Sequence, residues 1–139
     1  MSEPVFIMIM NHGRFGEELI ASAELIVGTL EQVEAVSLTA GTSIEEYYEK
    51  AEALIQASRG KVLILTDLFG GTPCNVAMML REKYNAKVLC GVNLPMLIEA
   101  ANLRDTVGCV EELAEAVLDT GRAGVLEPSA EAEEEEDWA

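Results

Sequence analysis

The stretch VFIMIMNHGRFGEELIASAELIVG, residues 5–28, combines the two patterns that decide the fold. Its first six residues form an uninterrupted apolar run, which is typical of a strand buried on both faces of a sheet. After an Asn-His-Gly turn at 11–13 the spacing changes, and from Glu17 to Leu30 apolar residues recur at helical intervals. A buried strand followed by an amphipathic helix is the repeating unit of a parallel α/β sheet.

The same alternation continues along the chain. Three further apolar runs are predicted to be strands: VEAVSL (33–38), KVLILT (61–66) and AKVLCGV (86–92). Helices are predicted over Ser43–Ser58, where Ser43 and Glu46 have capping-box spacing, over Pro73–Tyr84, after Pro95, and over about 110–120, ending at Gly121. These units predict a doubly wound α/β domain with a mainly parallel sheet of order 2-1-3-4 and helices on both faces.

The chain is acidic along its whole length. It carries 25 acids against 9 bases, a net charge of −16, and seven of the acids follow Arg122, so residues 1–122 still carry 18 acids against 9 bases, or −9. This balance argues against nucleic acid or an anionic membrane as a partner, and it is compatible with a basic protein partner. We predict one domain, residues 1–127, followed by a disordered acidic tail, residues 128–139.

Several classes of function lack their sequence signals. There is no apolar run of 18 residues and no signal-peptide pattern, so a cytoplasmic protein without membrane insertion is expected. Nucleotide-binding glycine loops and the serine-hydrolase elbow are absent, and a single histidine without clustered cysteines predicts neither metal nor other cofactor. Cys74, Cys90 and Cys109 are widely spaced, which favours buried thiols over redox work.

Two polar residues follow the strands expected at the centre of the sheet. The first strand exits at His12, the only histidine, and the third exits at Asp67. Ligand sites of such sheets open at the carboxyl ends of the strands where the order reverses, so the two side chains should be neighbours. Asp67 accepting from Nδ1–H would leave Nε2 unprotonated and nucleophilic. Alternatively, both are ordinary turn residues.

The glycines after Asp67 suggest what His12 would face. Gly70 and Gly71 precede Thr72 and Pro73, so Thr72 is expected at the N-cap of the next helix. Backbone N–H groups in such a turn can hold an anion, although Gly-Gly-Thr-Pro is also a good plain strand-to-helix connection. Together with His12 and Asp67 the turn points to phosphoryl transfer.

Three segments resemble a known family: MNHGRFGEELIASAELIVG, ILTDLFGGTPCNVA and CGVNLPMLIEA. They are similar to the signature regions of the IIA component of the mannose/fructose/sorbose class of the bacterial phosphoenolpyruvate-dependent sugar phosphotransferase system. The resemblance implies that His12 receives a phosphoryl group from the phosphohistidine of the carrier protein HPr and passes it to a IIB component. It implies that Asp67 orients this histidine and that the Gly71-Thr72 turn holds phosphoryl oxygens.

The resemblance also implies a homodimer in which a C-terminal antiparallel edge strand is exchanged between subunits, and Ala123–Glu127 is the candidate segment. Asn11 and Asn93 are possible site-lining residues. For Asn93 the alternative is a plain turn role before Pro95. The chain departs from the family pattern in having Met10-Asn11 where Gly-Thr is common and Cys74 where Phe is common.

Two functions follow from these expectations. The first is a phosphohistidine carrier in sugar uptake, and the second is a regulatory phosphoprotein that signals through its phosphorylation state without sugar transport. The related phosphotransfer subunit of dihydroxyacetone kinase would share the histidine chemistry, but DLFGGTP and GVNLPML do not resemble its motifs. The sugar cannot be predicted, because specificity would lie in membrane components outside this chain.

Overall fold

The computed structural model describes residues 4–58 and 60–129, so most of the predicted acidic tail lies outside the described residues. A four-stranded, fully parallel sheet has the predicted order β2-β1-β3-β4. The strands are β1 (Phe6–His12), β2 (Val33–Leu38), β3 (Val62–Thr66) and β4 (Ala86–Cys90). The helices are α1 (Phe15–Val27), α2 (Ile44–Ser58), α3 (Gly71–Lys83), α4 (Leu94–Leu103) and α5 (Val110–Ala123).

The apolar run of β1 divides its side chains between two cores, as the prediction of a strand buried on both faces requires. Ile7 and Ile9 pack with residues of α1, α4 and α5, whereas Met8 and Met10 pack with residues of α2 and α3. All four are fully buried. The sheet is therefore covered by helices on both sides, and the polar residues considered for the site lie where its strands end.

One helix end agrees with its prediction and another differs from it. Ser43 caps α2 as expected, since its Oγ accepts from the Glu46 N–H at 3.1 Å. The last helix, however, runs past Gly121 to Ala123. Gly121 is not a stop signal but a contact, because a Cβ there would lie 2.6 Å from Sδ of Met96 on α4. The glycine lets α5 pack closely against α4.

Within the described residues, the single chain does not form the predicted C-terminal edge strand. Residues 124–129 belong to no helix or strand, and β2 and β4 are the outer strands of the sheet. Exchange of this segment between two subunits stays a prediction. Within residues 4–58 and 60–129, no helix has the length and apolar character needed to cross a bilayer.

Arg104 braces the end of the sheet opposite His12. Its guanidinium donates to the backbone carbonyls of Val5 (3.2 Å), Gln32 (3.0 Å) and Glu31. These carbonyls precede β1 and β2, and Gln32 holds a left-handed backbone with φ of 57°. One side chain at the C-terminus of α4 thus joins the starts of two neighbouring strands.

We expect Arg104→Met to lower the free energy of unfolding by about 2 kcal/mol, because the change keeps an apolar stem but removes three charge-assisted hydrogen bonds. Urea denaturation measures the effect. Arg81→Met is the matched control, since Arg81 is exposed and, among the described residues, its one ion pair is with Glu82 at 3.8 Å. Equal stability of the two variants would show that the hydrogen bonds of Arg104 contribute nothing to the free energy of unfolding.

Candidate functional site

His12 and Asp67 meet at the carboxyl edge of the sheet, as predicted. His12 is the last residue of β1, and Asp67 directly follows β3, the strand that pairs with β1. Nδ1 of His12 lies 2.8 Å from Oδ2 of Asp67. The histidine side chain is 49% exposed and the aspartate side chain only 12%. The imidazole therefore reaches solvent while its partner is mostly covered.

The surroundings of Asp67 fix which ring nitrogen carries the proton. Its Oδ2 also accepts from the backbone N–H of His12 at 2.8 Å, and its Oδ1 accepts from the N–H of Leu68 at 2.9 Å. Because an ionised carboxylate only accepts hydrogen bonds, the short contact requires the proton on Nδ1. Nε2 is left with a free lone pair. In the neutral imidazole, the contact thus holds the ring in one orientation with the Nε2 lone pair turned away from Asp67.

The α3 N-terminus lies next to this nitrogen. Gly70 is the N-cap, with φ of 89°, and Gly71 is the first helical residue, with φ of 80°. A Cβ on Gly71 would lie 3.4 Å from Cε1 and 3.6 Å from Nε2 of His12. The glycine thus brings the helix start against the imidazole without a side chain between them.

The predicted N-cap role of Thr72 is wrong. The helix begins one residue before Thr72, because the left-handed backbone of two successive glycines turns the chain earlier, and no side chain caps it. The Thr72 hydroxyl makes no hydrogen bond within the described ranges 4–58 and 60–129. Uncapped N–H groups and a free hydroxyl are donors that an anion beside His12 could use.

Asn11 lies beneath the site rather than in it. It is fully buried, and its Nδ2 donates to the carbonyl of Gly13 at 3.0 Å, with longer contacts to the His12 carbonyl and the Ser37 hydroxyl. Its Oδ1 faces Gly16 and has no hydrogen-bond partner among the described residues. The side chain therefore holds the backbone of the turn that presents His12.

Both polar ends of the Asn93 amide make hydrogen bonds to helices. Its Oδ1 accepts from the Met96 N–H at 3.1 Å, and its Nδ2 donates to the Gly121 carbonyl at 3.0 Å. Asn93 is thus the N-cap of α4 and a link to α5. These contacts correspond to the structural alternative, because both ends of the amide are used within the two helices.

Large apolar side chains around the site were not singled out from the sequence. Phe69 is 84% exposed, and Leu68 and Phe15 are also exposed. All three lie within three residues of His12 or Asp67 in the chain. The sequence did contain a signal for their exposure. Leu68 and Phe69 directly precede Gly-Gly, so they lie in a turn, and a turn has no buried face to cover large apolar side chains. Exposed apolar groups beside a reactive nitrogen favour docking of another protein.

The part of the chain that the structure describes contains no group of three or more His, Cys, Asp or Glu side chains placed to hold an ion. The partner of His12 is a single carboxylate on Nδ1. The arrangement places Nε2 of His12 beside the uncapped N-terminus of α3, a geometry suited to transfer of an anionic group.

This chain is similar to proteins of known family. The family model described as PTS system fructose IIA component matches residues 6–118. The mannose-specific EIIAB component of Escherichia coli K12 is 35% identical over 125 residues, which cover 87% of this chain and 38% of the relative. The fructose-specific EIIA component of Bacillus subtilis is 34% identical over 104 residues, 73% of this chain and 71% of the relative.

Solved structures agree with this assignment. The phosphotransferase system component EIIA from Streptococcus agalactiae superposes with a TM-score of 0.84 at 34% identity, covering 88% of this chain and 96% of that one. The mannose/sorbose specific IIA subunit from Enterococcus faecalis gives 0.82 at 39% identity, covering 92% and 96%. The chain thus belongs to the mannose-type family of IIA components of the sugar phosphotransferase system.

Proposed function

We propose that the protein is a phosphohistidine carrier that accepts a phosphoryl group from phosphorylated HPr at His12 and passes it to a IIB component. The observation that carries this proposal is the His12–Asp67 contact at 2.8 Å, which leaves Nε2 free beside the start of α3. The membership of the chain in a family of phosphotransferase-system components supports the same chemistry.

In the forward step the Nε2 lone pair of His12 attacks the phosphorus of the donor phosphohistidine. A new N–P bond forms as the donor N–P bond breaks, and the donor nitrogen takes back its electron pair. Positive charge develops on the imidazole ring, and the Asp67 carboxylate balances it through Nδ1–H. Backbone N–H groups of Gly71 and Thr72 and the Thr72 hydroxyl stabilise the phosphoryl oxygens. Attack by an acceptor side chain of IIB reverses the step.

The surface around His12 suits a protein donor. A phosphoryl group carried on another protein must come within bonding distance, and the exposed Phe15, Leu68 and Phe69 can be covered in such a complex. The domain itself is acidic, which favours a donor with basic groups around its histidine.

We expect His12 to be the only phosphorylated residue after incubation with phosphoenolpyruvate, enzyme I and HPr. The phosphate should be acid-labile and stable in alkali, as a phosphoramidate is, and His12→Gln should abolish it. Intact-mass analysis before and after adding a IIB protein checks both steps. Phosphate on Ser, Thr or Tyr, or retention in His12→Gln, would overturn the mechanism. Phosphorylation without transfer to any IIB would favour the regulatory role.

We further propose a homodimer held by exchange of the segment that follows α5. Support comes from Val125 and Leu126, which are exposed in the single chain, and from β4, an outer strand of the sheet. A strand added beside β4 would satisfy its backbone groups and cover apolar side chains.

A chain ending at 123, which keeps α5 whole, should sediment as a monomer. A chain ending at 129 is the control and should sediment as a dimer, because it lacks only the last ten residues of the acidic tail. Analytical ultracentrifugation of both, beside the full chain, makes the test. A monomeric full chain, or a dimer that persists in the shorter one, contradicts strand exchange.

A further inference from the structure

Two free cysteines touch each other beside the site. Sγ of Cys74 lies 3.7 Å from Sγ of Cys90, although 16 residues separate them in the chain. Cys74 is in the first turns of α3, and Cys90 is the last residue of β4. Their wide spacing in the sequence favoured buried thiols over redox work. Cys74 is buried, Cys90 and Cys109 are only partly buried, and the contact between Cys74 and Cys90 arises from the fold.

We propose that Cys74 and Cys90 form a reversible disulfide under peroxide oxidation, and that this bond controls phosphoryl acceptance at His12. The second half rests on the proposed function. Disulfide sulfurs lie about 2.05 Å apart, so the two atoms must approach by roughly 1.6 Å, which is within reach of side-chain rotation and a small shift of a helix end.

The two thiols have different access to an oxidant. Cys90 is partly exposed, whereas Cys74 is 2% exposed. Hydrogen peroxide would therefore oxidise the Cys90 thiolate to a sulfenic acid, releasing hydroxide. The Cys74 thiol would then attack that sulfur, forming the S–S bond and releasing water. Together the two thiols lose two electrons and two protons, and one peroxide becomes two waters.

Oxidation at neutral pH should be slow. Burial raises the pKa of the Cys90 thiol, which reduces the fraction of reactive thiolate. The neighbouring Cys74 can nevertheless trap each sulfenic acid as it forms, because the two sulfurs are already in contact. Proximity thus favours the disulfide over further oxidation of Cys90.

The bond would act on the site through its two anchor points. Cys74 is three residues after Gly71, which lies against the imidazole, and Cys90 pairs in register with Thr66, the residue before Asp67. Drawing Cys74 toward β4 would pull the start of α3 relative to Nε2. Since phosphoryl transfer depends on positions within about 1 Å, we expect oxidation to slow phosphorylation of His12 by on the order of tenfold or more.

The test uses the full chain treated with hydrogen peroxide, followed by alkylation of free thiols and intact-mass and peptide analysis. We expect loss of two hydrogen atoms, a peptide linking Cys74 to Cys90, and a fall in the His12 phosphorylation rate that dithiothreitol reverses. Cys109→Ala, which keeps the touching pair, should behave like the unchanged protein. Cys74→Ala and Cys90→Ala should each lack the linked peptide and keep a rate that is insensitive to peroxide.

Other results would overturn the proposal. If peroxide leaves Cys74 and Cys90 reduced, or links either one to Cys109 instead, the thiol pair is not a disulfide site. If the linked peptide forms while the phosphorylation rate is unchanged, the bond has no control over the site. Failure of the reduced protein to accept phosphate at all would instead refute the proposed function. The peptide analysis would still test whether Cys74 and Cys90 form a disulfide.

Discussion

Asp67→Asn is expected to slow phosphorylation of His12 by on the order of 10²–10⁴, the range found when an orienting or acid–base group is lost. Oδ2 of Asp67 accepts from both the backbone N–H and Nδ1 of His12. If the amide oxygen of Asn takes this place, the tautomer survives but the charge that balances the ring is gone. If the NH₂ group takes it, Nδ1 loses its acceptor and the proton shifts to Nε2, which then cannot attack.

Either orientation of the amide places one N–H against another, at Leu68 or at His12, so a modest loss of stability of about 1 kcal/mol should accompany the change. Quench-flow measurement of transfer from phosphorylated HPr decides the matter. Asp119→Asn is the charge-matched control, because Asp119 is exposed on α5 and makes no hydrogen bond or ion pair among the described residues. If the Asp67→Asn protein folds and is phosphorylated at the unchanged rate, the carboxylate has no role in the transfer and Asp67 is only a turn residue.

Gly16→Ala is expected to lower the free energy of unfolding by about 2–4 kcal/mol, through overpacking and loss of the buried hydrogen bonds of Asn11. A Cβ on Gly16 would lie 2.2 Å from Oδ1 of Asn11 and 3.0 Å from Cβ of Ala35. The expected loss opposes helix propensity, because alanine inside α1 should by itself be favourable by about 1 kcal/mol. Displacing Asn11 also releases the Gly13 carbonyl, so phosphorylation of His12 should slow as well.

Gly108→Ala is the matched control, since a Cβ there meets nothing within 4 Å and its backbone is not left-handed. Urea denaturation of both variants should separate them clearly. A double variant, Asn11→Ala with Gly16→Ala, identifies the cause. If the clash with Oδ1 is responsible, the double variant should lose less free energy of unfolding than the sum of the two single-variant losses. Additive losses, or a stable Gly16→Ala protein, would show that the contact is unimportant.

The sheet order and the contact between His12 and Asp67 were predictable because both depend on repeating patterns. Continuous apolar runs identify central strands, and residues that follow two paired parallel strands must share an edge, which places His12 beside Asp67. Thr72 was misplaced because N-cap preference is a local rule, whereas the two left-handed glycines start α3 earlier. Gly121 was misinterpreted for a similar reason, since its role depends on Met96 in another helix.

Other parts of the site could not be deduced from the sequence. Nothing local indicates that Asn11 is buried against Gly16, because a side chain at the end of a strand can point to solvent or to a helix. The contact between Cys74 and Cys90 likewise depends on how α3 packs on β4. Such contacts arise from tertiary packing, and neither residue type nor spacing encodes them.

The pairing of β1 with β3 does not stop where the strands end. The N–H of Asp67 donates to the Met10 carbonyl at 3.2 Å. The next N–H along β1, that of His12, donates to the Asp67 carboxylate. Because 55 residues separate the two, this contact forms only after a long stretch of chain has closed into a parallel pair, a slow and non-local step in folding. On the ribosome, His12 emerges before Asp67 and has no carboxylate beside it until Asp67 has also emerged and joined the sheet. A nascent or misfolded chain therefore carries the histidine without a carboxylate to orient it, and under the proposed function phosphate uptake would require a complete centre of the sheet.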